Sequence, residues 1–135
     1  MKVLIVGCGR VGARLAAEMD GAGHEVTIID TNGSAFTRLG ESFGGDAIIG
    51  DGIDVDTLRR AGIENVDAFC SLTQGDNRNI MAAQIAQHVF KVPRVVCRIA
   101  DPIRDEVYRK LGLNTYCPTI TGASHVLDAL QDESR

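Results

Sequence analysis

Short apolar runs rich in valine and isoleucine alternate along this chain with longer segments of helical periodicity. Runs of this length are typical of strands that a sheet buries on both faces. Six of them predict strands, at Val3–Val6, Val26–Ile29, Ala47–Ile49, Ala68–Leu72, Val95–Ile99 and, more weakly, Thr115–Cys117. Because strands that alternate with helices form βαβ units, we expect an α/β domain. We expect a doubly wound, six-stranded parallel sheet with the strand order 3-2-1-4-5-6 and with helices on both faces.

The segments between the strands carry helical patterns. Two of them place apolar side chains at positions i, i+4 and i+8, which predicts one buried face on each helix. These sets are Val11, Leu15 and Met19, and Met81, Ile85 and Val89. Shorter helices are predicted at Ile53–Ala61 and at Pro102–Leu111, where proline suits a first turn. A last helix is predicted at Thr121–Leu130, before a polar tail.

A glycine motif lies directly between the first predicted strand and the first predicted helix. It reads Gly7-Cys8-Gly9-Arg10-Val11-Gly12. The first glycine permits a tight turn, the second lets the backbone approach a pyrophosphate, and the third lets the helix pack close to the strand. Backbone N–H groups at the positive end of the helix dipole then face the phosphates. The motif predicts a Rossmann-like nucleotide-binding turn, although a tight turn without a ligand also needs such glycines.

An acidic residue ends the second predicted strand. Asp30 follows Gly12 by 18 residues, and Thr31 comes next. A carboxylate at this position accepts hydrogen bonds from ribose hydroxyls. It also repels a 2′-phosphate, so NADP is disfavoured. Because NAD(H), ATP and ADP share the adenosine half, Asp30 does not distinguish among these three nucleotides. The alternative is that Asp30 caps the next helix.

Polar residues follow the third and fourth strands at the carboxyl edge, where open α/β sheets bind ligands. Gly50-Asp51-Gly52 follows the third strand, and Thr73-Gln74-Gly75-Asp76 follows the fourth. We expect the first group to border the adenine pocket, unless it only forms a turn that caps the next helix. Asp76 is also compatible with a helix N-cap.

Two arginines are candidates for phosphate contacts. Arg98 lies in the otherwise apolar fifth strand. A charge there needs a partner, either a carboxylate or the phosphates of the nucleotide. Arg10 lies inside the glycine motif, where a guanidinium can bind a phosphate with two hydrogen bonds. The alternative for Arg10 is a solvated arginine at the end of a helix.

Charge and composition exclude several classes of protein. The formal net charge of −4, without a basic stripe, argues against nucleic-acid binding. No apolar run approaches the roughly 18 residues of a membrane span, and the amino terminus does not resemble a signal peptide. We therefore expect a cytoplasmic domain without direct membrane insertion. The four cysteines form no CxxC pair, and most of them are expected to be small buried hydrophobic residues rather than metal ligands.

Catalysis is not expected from this sequence. The three histidines are scattered, and no serine, cysteine or lysine stands beside an evident base. The main alternative to a binding module is the NAD-binding domain of a dehydrogenase. Hydride transfer needs a substrate pocket and a placed proton donor or acceptor, and the sequence indicates neither. A third possibility is a domain that uses this fold only for oligomerisation.

Taken together, these motifs resemble the RCK/KTN domain, the TrkA N-terminal domain of Trk-type potassium uptake regulators. The similarity covers nearly the whole chain, and its combination of segments is more specific than the glycine motif alone. The segments that carry it are Met1–Gly12, Val26–Asp30, Gly50–Gly52, Asp67–Phe69, Leu72–Thr73, Asp76–Ile80, Arg98–Pro102 and Leu111–Gly112, before Pro118.

The resemblance implies a cytosolic assembly of domains beneath a membrane potassium transporter or channel, which bound NAD(H), ATP or ADP opens or closes. It assigns the phosphates to residues 7–11 and the ribose to Asp30. It also implies that Asp51, Thr73, Gln74 and Arg98 line the remaining site. Such a domain is expected to lie at the inner face of the cell membrane through its partner.

The resemblance also implies how the chain is organised. Residues 1–118 correspond to the nucleotide-binding lobe, and residues 119–135 to a crossover helix with its polar tail. Family members continue into a smaller C-terminal lobe, and none of these 135 residues is expected to correspond to it. We expect the crossover helix to pair two copies, as a dimer or as a ring of dimers.

Overall fold

The computed structural model describes residues 1–132, and residues 133–135 of the polar tail lie outside the described part. The strands are β1 (Lys2–Val6), β2 (Glu25–Asp30), β3 (Asp46–Ile49), β4 (Ala68–Ser71), β5 (Arg94–Arg98) and β6 (Asn114–Tyr116). The helices are α1 (Arg10–Gly21), α2 (Val55–Arg60), α3 (Asp76–Gln84), α4 (Pro102–Lys110) and α5 (Pro118–Gln131). Shorter elements are the 3₁₀ segments Gly33–Leu39 and Ile63–Asn65 and the π-helical turn Ile85–Val89. All six predicted strands are confirmed to within one residue at each end.

The strands form one parallel sheet in the predicted order β3-β2-β1-β4-β5-β6. β1 lies at its centre, hydrogen-bonded to β2 on one side and to β4 on the other. The chain leaves β1 towards β2 and later returns to the other side of β1 as β4, so the connections diverge at the carboxyl end of β1. A crevice opens at such a point in doubly wound sheets.

Alternate residues of the central strands enter separate cores on the two faces of the sheet. On one side of the sheet, the core consists mainly of strand residues and α1, with Val3, Ile5, Val26, Ile28, Ala13 and Ala16. On the other side, α2 and α3 cover Leu4, Val6, Ile29 and Phe69. Because both faces of these strands are buried, their sequences are continuous apolar runs rather than alternating patterns.

The predicted buried faces of the first and third helices are partly wrong. In α1 the buried side chains are Ala13 and Ala16, whereas Val11 is 47% exposed and the other two members of its set are only half-buried. In α3 the buried residues include Ile80 and Ala83, and Met81 is 50% exposed. Alanines form much of the buried faces of both helices, since small side chains let a helix approach the sheet closely. The larger apolar residues lie beside these faces.

The last helix leaves the sheet without packing on it. No residue of α5 is buried. Its large apolar side chains are 44–81% exposed, at Ile120, Val126, Leu127 and Leu130. The α1 side of β4, β5 and β6 is also incompletely covered, because Cys70, Val96 and Tyr116 are only half-buried there. No helix in residues 1–132 has both the length and the apolar content to cross a bilayer.

Candidate nucleotide-binding cleft

A cavity of about 410 Å³ lies at the carboxyl ends of β1 to β4. Nine of the thirteen residues predicted from the sequence line it, namely Gly7, Cys8, Gly9, Asp30, Thr31, Asp51, Gly52, Thr73 and Gln74. The other four, Arg10, Val11, Gly12 and Arg98, are not among its lining residues. The structure therefore brings the glycine turn and three later loops together at one edge of the sheet.

Two glycines of the turn are required by the fold itself. Gly7 has a φ of +105°, and a Cβ atom there would lie 2.8 Å from backbone atoms of Leu72 and Thr73. A Cβ atom on Gly12 would overlap the carbonyl oxygen of Gly7. Gly9 differs, because a Cβ atom there would have nothing within 4 Å. The protein does not use the free space beside Gly9, which leaves the backbone at the start of α1 open to a ligand.

Asp30 fastens the glycine turn to the end of β2. Its Oδ2 accepts a hydrogen bond from the backbone N–H of Cys8 at 2.8 Å, and its Oδ1 accepts one from Asn32 N–H at 2.8 Å. The following 3₁₀ segment is capped by Asn32, whose side chain accepts from Ser34 N–H. The capping alternative for Asp30 is therefore wrong. Each carboxylate oxygen retains acceptor capacity for a ribose hydroxyl.

Arg38 is a cleft residue that the sequence did not reveal. Its Nη1 donates to the carbonyl oxygen of Cys8 at 3.2 Å, across 30 residues of chain. It also lines a shallow groove along α1 together with Arg10 and Arg14. The only sequence signal was a cation in the segment after β2, which is equally typical of a solvated surface.

The Cys8 thiol lies inside the turn and is fully buried. It donates a hydrogen bond to the carbonyl oxygen of Ala35 at 3.4 Å. Burial raises the pKa of this thiol, and the negative charge of Asp30 raises it further. The thiol is therefore held in its protonated form and is a packing group rather than a nucleophile.

The opposite wall of the cleft is positioned by a buried amide. Asn79 is fully buried, and its Oδ1 accepts from both the N–H and the hydroxyl of Thr73, at 2.9 and 2.6 Å. Its Nδ2 donates to the carbonyl oxygens of Thr73 and Arg98. The Arg98 guanidinium also donates to the Thr73 carbonyl, at 3.1 Å. In this structure Arg98 thus supports the wall of the cleft through a neutral carbonyl group.

Asp76 connects the ends of β4 and β5. The N-cap of α3 is Gly75, so the N-cap interpretation of Asp76 is wrong. Its carboxylate accepts instead from the backbone N–H groups of Ala100 and Asp101, at 2.8 and 3.1 Å. The carbonyl oxygen of Ala100 accepts from the Thr119 hydroxyl, in the first turn of α5, at 2.7 Å. The border of the cleft is therefore linked to the last helix.

An ion pair spans the mouth of the cleft. Arg78 Nη2 lies 2.5 Å from Asp51 Oδ2, and both residues line the cavity. The Oδ1 atom of Asp51 accepts from Ile53 N–H at 3.2 Å. The hydrogen bond from Arg78 lowers the pKa of the Asp51 carboxyl below its usual value. The sequence did not indicate Arg78, because a polar residue in a first helical turn gives no sign of a partner 27 positions away.

We expect Arg78→Gln to raise the pKa of Asp51 towards the value of an ordinary carboxyl, which carboxyl-carbon NMR titration would measure. A pKa depressed by folding stabilises the native state above the ordinary carboxyl pKa, and that contribution is lost as the pH falls through the native pKa. Arg14→Gln is the matched control, since Arg14 pairs with Glu18 away from Asp51. An unchanged Asp51 titration in Arg78→Gln would contradict the ion pair.

The sheet order and the glycine turn define a Rossmann-type domain. The chain belongs to the TrkA-N domain family, whose model matches residues 3–118. It is similar to the Trk system potassium uptake protein TrkA of Streptomyces coelicolor, with 47% identity over 130 residues. That match covers 96% of this chain and 58% of the relative, so the chain spans little more than half the relative's length.

Solved structures share the fold. The AMP-bound form of the Kef CTD from Shewanella denitrificans superposes with a TM-score of 0.83 at 20% identity, covering 99% of this chain and 84% of that one. The GsuK channel bound to NAD superposes with a TM-score of 0.81 at 24% identity, covering 96% of this chain and 23% of that one. GsuK has also been solved bound to ADP.

Proposed function

We propose that this chain is a regulatory domain of a potassium uptake system, and that it binds NAD(H), ATP or ADP in the cleft between the glycine turn and the Thr73–Gly75 wall. The occupancy of the cleft would then open or close a membrane potassium transporter or channel. The observation that carries the proposal is the convergence of the glycine turn, Asp30 and Asp51 on one cavity. Membership of the TrkA-N family supplies the link to potassium transport.

The cleft suits an adenine nucleotide at three points. No side chain caps the start of α1, and the N–H groups of its first turn, beside the open space at Gly9, would receive phosphates. Asp30, at the end of β2, would bind the ribose hydroxyls. Asp51 and Gly52, after β3, would border the adenine. AMP and NAD, which the structural neighbours bind, share the adenosine half that these three positions would recognise.

The lining of the cleft favours binding over chemistry. Within the described residues, no histidine, lysine or tyrosine lines the cavity. The Cys8 thiol is protonated, and hydrogen bonds from protein groups already hold Asp30 and Asp51. A nucleotide bound here would therefore act as a signal. In this proposal, residues 1–118 form the nucleotide-binding lobe at the cytoplasmic face of the membrane.

The same proposal gives the last helix a partner. The crossover helix, within residues 119–132 of the described part of the chain, would pack against a second copy of the chain. Its support is the unburied apolar stripe of α5, together with the half-covered sheet surface at Cys70, Val96 and Tyr116. The stripe is of a kind that monomers seldom expose, and two symmetric copies would cover it in the commonest type of assembly.

Titration calorimetry with NADH, ADP and NADPH tests the proposal. We expect NADH and ADP to bind and NADPH to bind at least about tenfold more weakly than NADH, because its 2′-phosphate would approach the Asp30 carboxylate. Asp30→Asn should reduce this difference, since it removes the charge and keeps an acceptor for Cys8 N–H. Asp56→Asn, at an exposed position on α2, is the matched control.

Two results would overturn the assignment. Equal affinities of the wild-type chain for NADPH and NADH would remove the ribose role of Asp30. The absence of binding by any adenine nucleotide would remove the proposed function itself and favour a domain that uses the fold only for oligomerisation.

A further inference from the structure

The charges that line the cleft are balanced, and each charged group already has a hydrogen-bond partner in the protein. Its acidic residues, within the described part of the chain, are Asp30 and Asp51, and its cationic residues are Arg38 and Arg78. Arg38 is engaged by the carbonyl oxygen of Cys8. Arg78 is engaged by Asp51, which lies across the mouth of the cleft on the loop after β3. An anionic ligand that enters the cleft therefore meets a cation whose present partner is another anion.

The Arg78–Asp51 pair is placed to exchange partners. The two side chains are 51% and 41% exposed, and ion pairs that remain this accessible to water contribute little to stability. The aliphatic stem of Arg78 lies beside Gly75, where a Cβ atom would be 3.7 Å from both its Cγ and its Cδ. This stem thus follows the wall that faces the glycine turn. Arg78 and the glycine turn line the same cavity, so this flexible side chain borders the space in which the phosphates would bind.

We propose that Arg78 is the specificity-determining residue of the cleft: it leaves Asp51 and binds the phosphates of the nucleotide, so that affinity rises with the number of phosphates. This inference rests on the proposed nucleotide-binding function. Guanidinium groups bind phosphate oxygens through charge-assisted paired hydrogen bonds, whereas the contact with Asp51 joins Nη2 to Oδ2. Asp51 competes with the ligand for Arg78, and this competition sets how strongly phosphate is preferred.

Substitutions at the two residues of the pair are expected to change phosphate binding in opposite directions. Arg78→Gln removes the cation and leaves Asp51 uncompensated beside an anionic ligand. Asp51→Asn removes the competing anion and releases Arg78 to the ligand. The measured quantity is the phosphate preference, defined as the dissociation constant for adenosine divided by that for ADP. A ratio is used because a loss of adenine or ribose contacts changes both constants and leaves their quotient unaffected.

The experiment is titration calorimetry of the full chain with adenosine, AMP and ADP. We expect Arg78→Gln to lower the phosphate preference at least about tenfold and Asp51→Asn to raise it about threefold, in line with charge-assisted contacts. The dissociation constant for AMP should lie between those for adenosine and ADP. Arg14→Gln is the matched control, because Arg14 is exposed and does not line the cleft, and it should leave the preference unchanged. Circular dichroism of each variant confirms folding.

The outcomes separate this inference from the function on which it rests. If the wild-type chain binds ADP and the phosphate preference of Arg78→Gln equals that of wild type, the role of Arg78 is overturned and the proposed function stands. If the wild-type chain binds neither adenosine nor ADP, the proposed function is overturned, and the role of Arg78 is overturned with it. Should Arg78→Gln fail to fold, an unchanged or lower preference in Asp51→Asn overturns the exchange.

Discussion

Replacing Gly12 by alanine should lower the free energy of unfolding by about 3 kcal/mol, as expected when an added methyl group meets backbone that cannot move aside. The Cβ atom would overlap the carbonyl oxygen of Gly7, a residue that is held by its φ of +105° and by the hydrogen bond from its N–H to Ile29 O at 2.8 Å. Either α1 must move from the sheet or the turn must open. Urea denaturation monitored by circular dichroism measures the loss.

Gly9→Ala is the partner experiment, because it adds the same methyl group three residues earlier in the same turn. A Cβ atom at Gly9 meets nothing within 4 Å, and the φ of −78° suits alanine. Stability should therefore fall by less than about 1 kcal/mol, the scale of a lost N-cap preference. ADP affinity should fall at least about tenfold, because the methyl group would occupy the space of the phosphate. Equal stability of the two variants would contradict the packing described here.

Self-association of the chain is expected to depend on the exposed leucines of α5. We expect the chain to be a dimer at micromolar concentration in light scattering, and Leu127→Asp with Leu130→Asp to yield monomers. These two side chains are 53% and 81% exposed on a helix that has no buried residue of its own. Placing carboxylates in the contact would require their desolvation without a partner, which is strongly unfavourable.

A matched control uses the opposite side of the same helix. Thr121 and His125 lie one turn apart, roughly opposite the apolar stripe at 3.6 residues per turn. Replacing both by aspartate adds the same number of carboxylates and should leave the dimer intact. A wild-type chain that is monomeric would exclude the pairing, as would a dimer that persists with aspartate at both leucine positions.

The strands could be predicted because a strand that is buried on both faces has a continuous run of apolar residues. Runs such as Val3–Val6 and Val26–Ile29 have no polar position, and the glycine turn and Asp30 stand where a doubly wound sheet requires them. The helix faces were less predictable. Spacing identifies which residues share a face, but alanine gives little apolar signal. Apolar periodicity therefore indicates the larger neighbours of Ala13 and Ala83 rather than the faces that contain these two alanines.

The side-chain pairs of the cleft could not be predicted from the sequence. A charge in an apolar strand correctly indicated that Arg98 has a polar partner, yet the partner is a carbonyl oxygen that no residue type identifies. Arg38 and Arg78 lie in short helical segments, where a cation is ordinary. Their partners, Cys8 and Asp51, are brought to them only by the complete sheet.

The peptide group between Ala100 and Asp101 holds two helices at once. Its N–H donates to Asp76 at the start of α3, and its carbonyl oxygen accepts from Thr119 at the start of α5. A peptide group is a rigid plane, so these two atoms cannot be displaced separately. If Asp76 moves, the peptide plane tilts, and the carbonyl oxygen that accepts from Thr119 at the start of α5 moves with it. The direction in which α5 leaves the sheet is thus tied to the helix that borders the cleft.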